Sequence, residues 1–264
     1  MRYAMDLTGK NIILTGANSG IGFEMLLLLS RENKVLAADL RTDAVEALSN
    51  GNVIPFICDI SSKEGVDSLF NRAQESLGDV DVFIANAGFA YYEIMDYEDW
   101  DRVSRIFDTN AVSPIYSYQR FVRRLDGREG VFAITCSGMG IMGMPGYALY
   151  GSTKFALNGF QESLHLERPG NVQITSLYPV AVNTGFFRSA SDTEFERPYP
   201  MQEPDLVARK MIEGIEKKRR KVFPSRLFRF ALVLFTVLPP VKKAYLRSER
   251  RKLDRFLEKT GRRI

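Results

Sequence analysis

Short apolar runs alternate with amphipathic segments along most of the chain. Runs rich in Val, Ile, Leu and Ala indicate buried strands, and the mixed stretches between them indicate helices. The pattern predicts strands at residues 11–16, 34–39, 52–60, 81–88, 130–137 and 171–178. It predicts helices at residues 22–31, 42–49 (with Thr42 as N-cap), 62–77, 100–125 and 149–168, with Pro114 bending the fourth of them.

This alternation predicts the α/β fold class, with a doubly wound parallel sheet covered by helices on both faces. A hydrophobic content of 45% is ordinary and supports a full core. We expect residues 1–224 to form the sheet domain and residues 225–264 a basic, apolar, amphipathic helical extension.

The charge pattern separates the same two parts of the chain. Residues 1–216 carry a balance of −10, and residues 217–264 carry +14, which together give the net charge of +4. A basic tail on an acidic body favours a negatively charged partner, either a membrane surface or nucleic acid. The other interpretation is that the tail folds back onto its own acidic body.

The remaining composition points to a reducing compartment. Cys58 and Cys136 lie inside apolar runs, so we expect buried thiols, and His165 has no second His or Cys with which to build a metal site. Residues 1–10 lack the apolar core of a signal peptide. We therefore expect a cytoplasmic protein, with peripheral contact at a membrane surface left open.

A glycine-rich turn follows the first strand and opens the first helix. Glycines at this point allow a tight turn and a close approach to a pyrophosphate, while the helix N-terminus supplies N–H donors. The segment predicts a dinucleotide site whose contacts are Gly16, Asn18, Ser19, Gly20, Ile21 and Gly22. Such turns also occur for packing reasons alone.

The second strand ends at Asp39, nineteen residues after Gly20. A carboxylate there would accept hydrogen bonds from a ribose diol and repel a 2′-phosphate, which favours NAD over NADP. Arg41 lies close enough to pair with such a phosphate or to stack on adenine, so NADP stays open as the less favoured cofactor.

Tyr150 and Lys154 lie four residues apart on a predicted helix, thirteen residues after Ser137. An ammonium one turn away favours the phenolate, so we expect Lys154 to lower the pKa of Tyr150. The Ser137 hydroxyl could hold a carbonyl or alcohol against the phenol. This constellation predicts metal-free proton transfer.

With these motifs in this order, residues 8–224 resemble the short-chain dehydrogenase/reductase family, which implies a Rossmann-like fold. The resemblance implies that Tyr150 transfers the proton, Lys154 holds the nicotinamide ribose, Ser137 orients the substrate oxygen and Asn110 holds a water linked to Lys154. It implies further cofactor contacts at Asp59, Ile60, Asn86, Ala87, Gly88, Pro179, Val182 and Thr184. It also implies a homo-oligomer that pairs through the helices carrying Asn110 and Tyr150, to which Phe121, Phe155 and Phe160 could contribute.

One residue departs from the family pattern. Val180 stands where the family usually has a glycine, beside the expected nicotinamide. A β-branched side chain restricts the backbone there and adds bulk, which puts the shape of that pocket in question.

The segment 185–204 corresponds to the family's substrate lid. It holds Phe186, Phe187, Phe195 and Tyr199, a lining suited to a bulky apolar substrate of lipid, steroid, retinoid or long-chain acyl type, although these rings could simply pack the lid. The resemblance implies NAD(P)-dependent interconversion of an alcohol and a ketone. The alternatives are a non-catalytic dinucleotide sensor or a membrane-surface scaffold, and a nucleic-acid-binding role is not expected.

The basic tail contains an apolar segment at 227–238, flanked by cations at 217–221 and 242–251. As a helix its twelve residues reach about 18 Å, short of the roughly 30 Å hydrocarbon core. We expect it to lie in the headgroup region rather than to span a bilayer. The alternative is packing beside the cleft or across a subunit contact.

Overall fold

One parallel sheet forms the centre of the computed structural model, which describes residues 6–48 and 51–262. Its strands are β1 (Asn11–Thr15), β2 (Lys34–Asp39), β3 (Val53–Ile57), β4 (Val82–Ala85), β5 (Gly130–Thr135), β6 (Val172–Leu177) and β7 (Lys221–Val222). Their order in the sheet is β3-β2-β1-β4-β5-β6-β7. The predicted doubly wound α/β fold is therefore confirmed.

Helices connect these strands and continue beyond the last of them. They are α1 (Gly20–Leu29), α2 (Asp43–Glu46), α3 (Lys63–Ser76), α4 (Trp100–Phe107), α5 (Ser113–Leu125), α6 (Ala148–Glu167), α7 (Phe186–Ser189), α8 (Pro204–Glu216), α9 (Arg226–Val237) and α10 (Pro239–Thr260). A π-helical turn, Asp108–Val112, joins α4 to α5, and a 3₁₀ turn, Gly138–Gly140, follows β5.

Each face of the sheet buries its own apolar cluster, because successive strand residues point to opposite faces. On one face Ile13, Phe83 and Phe132 pack beneath α3, α5 and α6, with the Phe83 ring stacked 5.2 Å from Phe132. On the other face Ile12 and Leu14 pack beneath α1 and α8. Burial on both faces explains why these strands read as continuous apolar runs.

Several local predictions differ from the structure. The helix predicted at 100–125 divides at the π-helical turn, and Pro114 lies in the first turn of α5, where a missing N–H costs little. Thr42 precedes α2 but makes no cap, because its hydroxyl donates to Glu46 instead. The helix predicted at 42–49 ends at Glu46, and Ser49 lies outside the described residues. Neither β7 nor α8 was predicted.

The C-terminal helices pack against the sheet domain. From α10, Leu253, Phe256 and Leu257 are buried in a third apolar cluster that also contains Tyr92 and Phe195. Helix α9 has no buried residue, and its Phe235 ring stacks 5.5 Å from Tyr245 of α10. Within the described part of the chain, no helix combines the length and apolar character needed to cross a membrane.

Candidate active site

The glycine-rich turn between β1 and α1 is shaped by close backbone contacts. Gly16 has a φ of +68°, and a Cβ placed on it would lie 2.7 Å from the Cα of Ala87. A Cβ on Gly22 would lie 1.8 Å from the Gly16 carbonyl oxygen. Only glycine fits at either position, so the turn can fold tightly over the carboxyl end of the sheet.

The first turn of α1 fits the phosphates of a dinucleotide. Ser19 occupies the N-cap without a side-chain hydrogen bond to the helix, and the first turn, which begins Gly20-Ile21, contains no acidic residue. The N–H groups of this turn and the positive end of the helix dipole therefore suit an anion. These residues fit the cofactor that the sequence predicts.

Asp39 and Asn18 organise the neighbouring end of β2. The Asp39 carboxylate accepts hydrogen bonds from the backbone N–H of Asn18 at 2.9 Å and of Leu40 at 2.7 Å. The Asn18 side chain contacts α2, where its oxygen accepts from Ala44 N–H at 2.9 Å. Asn18 thus positions the loop, and the nearby Arg41 is exposed.

Asp59 and Ile60 follow β3, at the same edge of the sheet as Asp39. The backbone links the two strands there, because Cys58 N–H donates to the Asp39 carbonyl at 2.8 Å. The Asp59 carboxylate accepts from Ser61 N–H at 2.9 Å. The structure thus brings the residues predicted to contact adenosine to one end of adjacent strands.

The Asn86-Ala87-Gly88 turn ties β4 to its neighbours. Asn86 donates from its amide to the Gly16 carbonyl at 3.1 Å and accepts from the Thr135 hydroxyl at 3.0 Å. The Ala87 N–H donates to the Thr15 hydroxyl at 3.2 Å. Asn86 therefore fixes the glycine-rich turn against the end of β5, which leads to Ser137.

Ser137, Tyr150 and Lys154 meet at the carboxyl end of β5. Tyr150 and Lys154 lie one turn apart on α6, and the Lys154 ammonium is 5.6 Å from the centre of the Tyr150 ring. The Ser137 side chain lies next to Tyr150, and its hydroxyl oxygen accepts from Met139 N–H at 3.2 Å. Lys154 donates to the Thr135 carbonyl at 2.9 Å.

Ser137 has an unusual backbone conformation, with φ of 84° and ψ of 150°. This region is occupied almost only by glycine, and a side chain there costs about 1–3 kcal/mol. The N–H of Ser137 donates to the Leu177 carbonyl at 3.2 Å, and the N–H of Gly138 donates to the Pro179 carbonyl at 2.7 Å. These bonds to the end of β6 hold the strained residue in place.

Burial dominates the electrostatics of the pair on α6. It raises the pKa of Tyr150 to about 12, against a smaller lowering by the neighbouring Ser137 hydroxyl. Burial also lowers the pKa of Lys154 to about 8, against a smaller effect of Cys136. The expected lowering of the Tyr150 pKa by Lys154 is absent from this geometry, because removal of the phenol from water outweighs its other contacts.

Asn110 lies in the π-helical turn and is fully buried. Its amide donates to the Phe89 carbonyl at 2.7 Å, and its side-chain oxygen accepts from Phe89 N–H at 3.0 Å. A Cβ on Gly88 would lie 3.0 Å from the Asn110 oxygen and 3.5 Å from the Lys154 nitrogen. Asn110 thus lies next to Lys154 across Gly88, although its own side chain holds the backbone of Phe89.

The loop after β6 carries the remaining predicted contacts. Thr184 packs over the glycine-rich turn, since a Cβ on Gly20 would meet its methyl group at 3.1 Å. Val182 pairs with Gln202. With Pro179 bonded to the turn after β5, this loop lies between the predicted phosphate site and the Ser137–Tyr150–Lys154 group.

Val180 lies in the same loop. Among the described residues, it is not one of the non-glycine positions with positive φ. Valine in place of the family's usual glycine therefore introduces no left-handed strain, and the question it raises is one of bulk alone.

Aromatic rings pack around Tyr150 and form a cover over this part of the site. Phe186 of α7 lies edge-on to Tyr150 with ring centres 5.4 Å apart, and the Tyr147 ring lies 6.3 Å from that of Tyr150. Of the other predicted lid rings, Phe187 and Phe195 are buried, whereas Tyr199 is 90% exposed. Three of the four predicted rings therefore belong to the cover, and Tyr199 does not.

Sequence reasoning missed residues that complete this cover. Phe195 stacks on Tyr92 at 4.1 Å, and Phe256 of α10 lies 4.9 Å from Tyr92. Phe228 of α9 fills the space beside Gly138, where a Cβ would lie 2.8 Å from its ring. Phe195 was predicted as a lid ring, whereas Tyr92, Phe228 and Phe256 belong to no motif, and nothing local in the sequence says which distant element each of these three contacts.

Comparisons with known proteins agree with this geometry. The model of the short chain dehydrogenase family matches residues 10–194. Epidermal retinol dehydrogenase 2 of Homo sapiens is 28% identical over 248 residues, covering 89% of this chain and 80% of the relative. Estradiol 17-beta-dehydrogenase 11 of Homo sapiens is 26% identical over 249 residues, covering 89% of this chain and 81% of the relative.

Solved structures show the same fold. A short chain dehydrogenase/reductase from Burkholderia phymatum in complex with NAD superposes with a TM-score of 0.80 at 19% identity, over 90% of this chain and 96% of that one. A short chain dehydrogenase from Burkholderia cenocepacia J2315 in complex with NADP gives 0.78 at 20% identity, over 92% and 99%. At these identities the likeness concerns the fold alone. The family match over most of its length identifies this chain as a member of the short chain dehydrogenase family and an NAD(P)-dependent oxidoreductase of alcohol and carbonyl groups.

Proposed function

We propose that the protein interconverts a secondary alcohol and a ketone on a bulky apolar substrate, with Tyr150 as the proton-transfer residue. The observation that carries this proposal is the meeting of Ser137, Tyr150 and Lys154 beneath an aromatic cover. An apolar cover excludes water and suits an apolar molecule, whereas the three polar groups can hold one oxygen atom.

Each residue has a defined part in this mechanism. The nicotinamide, when bound, supplies or takes up the hydride. Ser137 donates a hydrogen bond to the substrate oxygen and keeps it against the Tyr150 hydroxyl. Tyr150, which is protonated at neutral pH because burial raises its pKa to about 12, gives its proton to that oxygen in reduction, and oxidation requires its phenolate form to accept the proton. Lys154, whose pKa burial lowers to about 8, is the neighbouring ammonium group that can return a proton to the Tyr150 phenolate after reduction.

The test is Tyr150→Phe, which keeps the ring in its aromatic packing and removes the proton. We expect turnover to fall by roughly two or more decades, the scale of one acid–base group, with cofactor affinity retained. Tyr116→Phe is the matched control, because its hydroxyl bonds Asp67 at 2.8 Å, between α5 and α3. Turnover by Tyr150→Phe equal to that of the control would overturn the assignment.

For the cofactor we propose NAD in preference to NADP. The support is the Asp39 carboxylate, which faces the glycine-rich turn through its bond from Asn18 N–H. A second negative charge from a 2′-phosphate would be repelled there. Titration of both cofactors with wild type and Asp39→Asn tests this, because the variant is expected to narrow the preference. Tighter binding of NADP by wild type would assign the choice to the exposed Arg41.

The substrate class rests on the lid and on the relatives. Phe186 contacts Tyr150, and Phe187 and Phe195 belong to the same apolar cluster. The relatives are named for retinol and estradiol. A panel of retinoid, steroid and long-chain ketones and alcohols, followed by cofactor absorbance, tests the proposal. Turnover confined to small polar carbonyls would exclude it.

We further propose that α9 contacts a membrane surface, with residues 225–264 acting as an extension of the sheet domain. Its outer face carries four apolar residues that are each between 60% and 69% exposed: Leu227, Phe230, Val233 and Val237. Exposed cations lie beside it, including Arg226, Arg229, Lys243 and Arg247. Apolar residues among cations suit the headgroup region of an anionic bilayer.

The membrane test uses surface substitutions rather than truncation, because removal of the residues after Pro224 would also remove the buried side chains of α10. Phe230→Asp with Val233→Asp should abolish sedimentation with anionic vesicles. Ile57→Asp with Leu166→Asp adds the same charge at exposed apolar residues elsewhere and should leave sedimentation intact. Failure of wild type to sediment at low salt would overturn the proposal.

A homo-oligomer through α5 and α6 is also proposed. Phe121 is buried and Phe160 packs against the core, so neither supports the contact. Phe155 on α6 is 45% exposed and Val112 before α5 is 52% exposed, and these remain available. Sizing of wild type and Phe155→Asp in mild detergent tests the contact, and a wild-type monomer would exclude it.

A further inference from the structure

The Tyr147 side chain is an orphan polar group beside the candidate active site. The residue is 3% exposed, and within the described chain its hydroxyl has no hydrogen-bond partner. A buried hydroxyl without a partner is costly, and native proteins retain few of them. Because this donor lies next to a proton-transfer residue, a bound ligand is the natural source of the missing hydrogen-bond acceptor.

The position of Tyr147 is well fixed. It immediately precedes α6, and its carbonyl accepts from Gly151 N–H at 2.7 Å. Its ring lies 4.9 Å from Tyr92 and 6.3 Å from Tyr150. Tyr147 and Tyr150 are thus adjacent walls of one site, carried by the start of the same helix.

The surroundings keep the hydroxyl protonated. Burial raises the pKa of Tyr147, and nearby Tyr92, Tyr150 and Glu249 of α10 raise it further. The phenol is therefore neutral at physiological pH and can both donate and accept one hydrogen bond. The phenyl rings of the surrounding cluster, Phe187, Phe195 and Phe256, offer no acceptor.

We propose that Tyr147 binds a second oxygen of the substrate, on the side of the site that faces α10. The substrate class is then an apolar molecule with two oxygen functions: one reacts at Tyr150, and the other accepts a hydrogen bond from Tyr147. This rests on the proposed function of Tyr150 for its orientation. Because Tyr147 and Tyr150 lie in one apolar cluster with Phe187 and Phe195, a substrate that enters this cluster contacts both tyrosines.

The experiment compares Tyr147→Phe with wild type on a matched pair of ligands, a decalone and the corresponding decalin dione. A single lost hydrogen bond to a buried oxygen should raise KM for the dione by roughly 5- to 100-fold and leave the decalone unchanged. The ratio of the two kcat/KM values is the readout. The stability of the variant should equal or exceed that of wild type, because an unpaired hydroxyl is removed.

Two controls separate this proposal from its alternatives. Tyr116→Phe should lower stability, since it breaks the bond to Asp67, and leave the ratio unchanged. Thermal shifts by each ligand on the NAD-saturated protein give a second readout that needs no turnover, and Tyr147→Phe should lose the larger shift by the dione. Equal effects of Tyr147→Phe on both ligands, or no effect on either, would show a packing role and overturn the proposal, whatever Tyr150→Phe shows.

Discussion

The strained backbone at Ser137 gives the sharpest stability prediction. With φ of 84° and ψ of 150°, its Cβ stores about 1–3 kcal/mol, which Ser137→Gly should release. Glycine costs about 0.5–1 kcal/mol of additional chain entropy on folding. Ser137→Gly should therefore be more stable than Ser137→Ala by about 1 kcal/mol, the difference between the midpoints of these two ranges, since both variants lose the hydroxyl and only alanine keeps the Cβ.

Unfolding in urea and thermal unfolding measure this difference. For a domain of this size each kcal/mol corresponds to roughly 2–4 °C in Tm. The same pair of substitutions at Ser68, an exposed position inside α3, is the matched control. There the sign should reverse, because glycine in a helix interior is about 1 kcal/mol less favourable than alanine.

The stability and the turnover of the Ser137 variants test two separate claims. If Ser137→Gly is no more stable than Ser137→Ala, the strain assigned to this residue is wrong. Both variants should also lose most turnover, because neither can hold the substrate oxygen against Tyr150. Wild-type turnover by either would remove Ser137 from the mechanism without touching the stability argument.

Three further perturbations follow from burial. Burial lowers the pKa of the single His165 to about 4, so its imidazole should titrate near that pH by NMR. The free energy of unfolding should fall as pH drops from about 6.5 to 4, and His165→Gln should remove this pH dependence. Lys154→Met should abolish activity and, at pH 7, raise stability by about 1–3 kcal/mol, an advantage lost as pH rises from about 8 to 10.5. Phe256→Ala should lower the free energy of unfolding in urea by about 3 kcal/mol and speed proteolysis of the lid. An unchanged rate of lid cleavage would show that α10 does not stabilise the lid.

The strands of the sheet could be predicted from the sequence because burial on both faces makes consecutive strand residues apolar. Ile12 and Leu14 are buried on one face of β1 and Ile13 is buried on the other, so the strand shows no polar position among them. The two-residue β7 has too few positions to show any period. The π-helical turn at Asn110 leaves no mark beyond Pro114, because a wider turn uses the same residue types as an α-helix.

The proposed catalytic group could be located for a related reason. Tyr150 and Lys154 are neighbours on one helix, and Ser137 follows a strand that ends at the same sheet edge. Local spacing therefore predicted their proximity. It could not predict the direction of the Tyr150 pKa, because burial depends on rings from the lid that lie far along the chain.

The C-terminal helices show what sequence spacing leaves undetermined. The pattern of apolar residues among cations predicts an exposed apolar surface, and α9 has one. The buried surface of the segment depends on contacts with residues far away in the sequence, which the pattern does not contain. Phe256 reaches Tyr92 and Phe195, and Arg255 pairs with Glu196 of the lid. One segment thus joins the lid on one side and presents an exposed apolar face on the other. Helix α9 packs on α10 through Phe235 and Tyr245, so α10 contacts both the exposed helix and the lid.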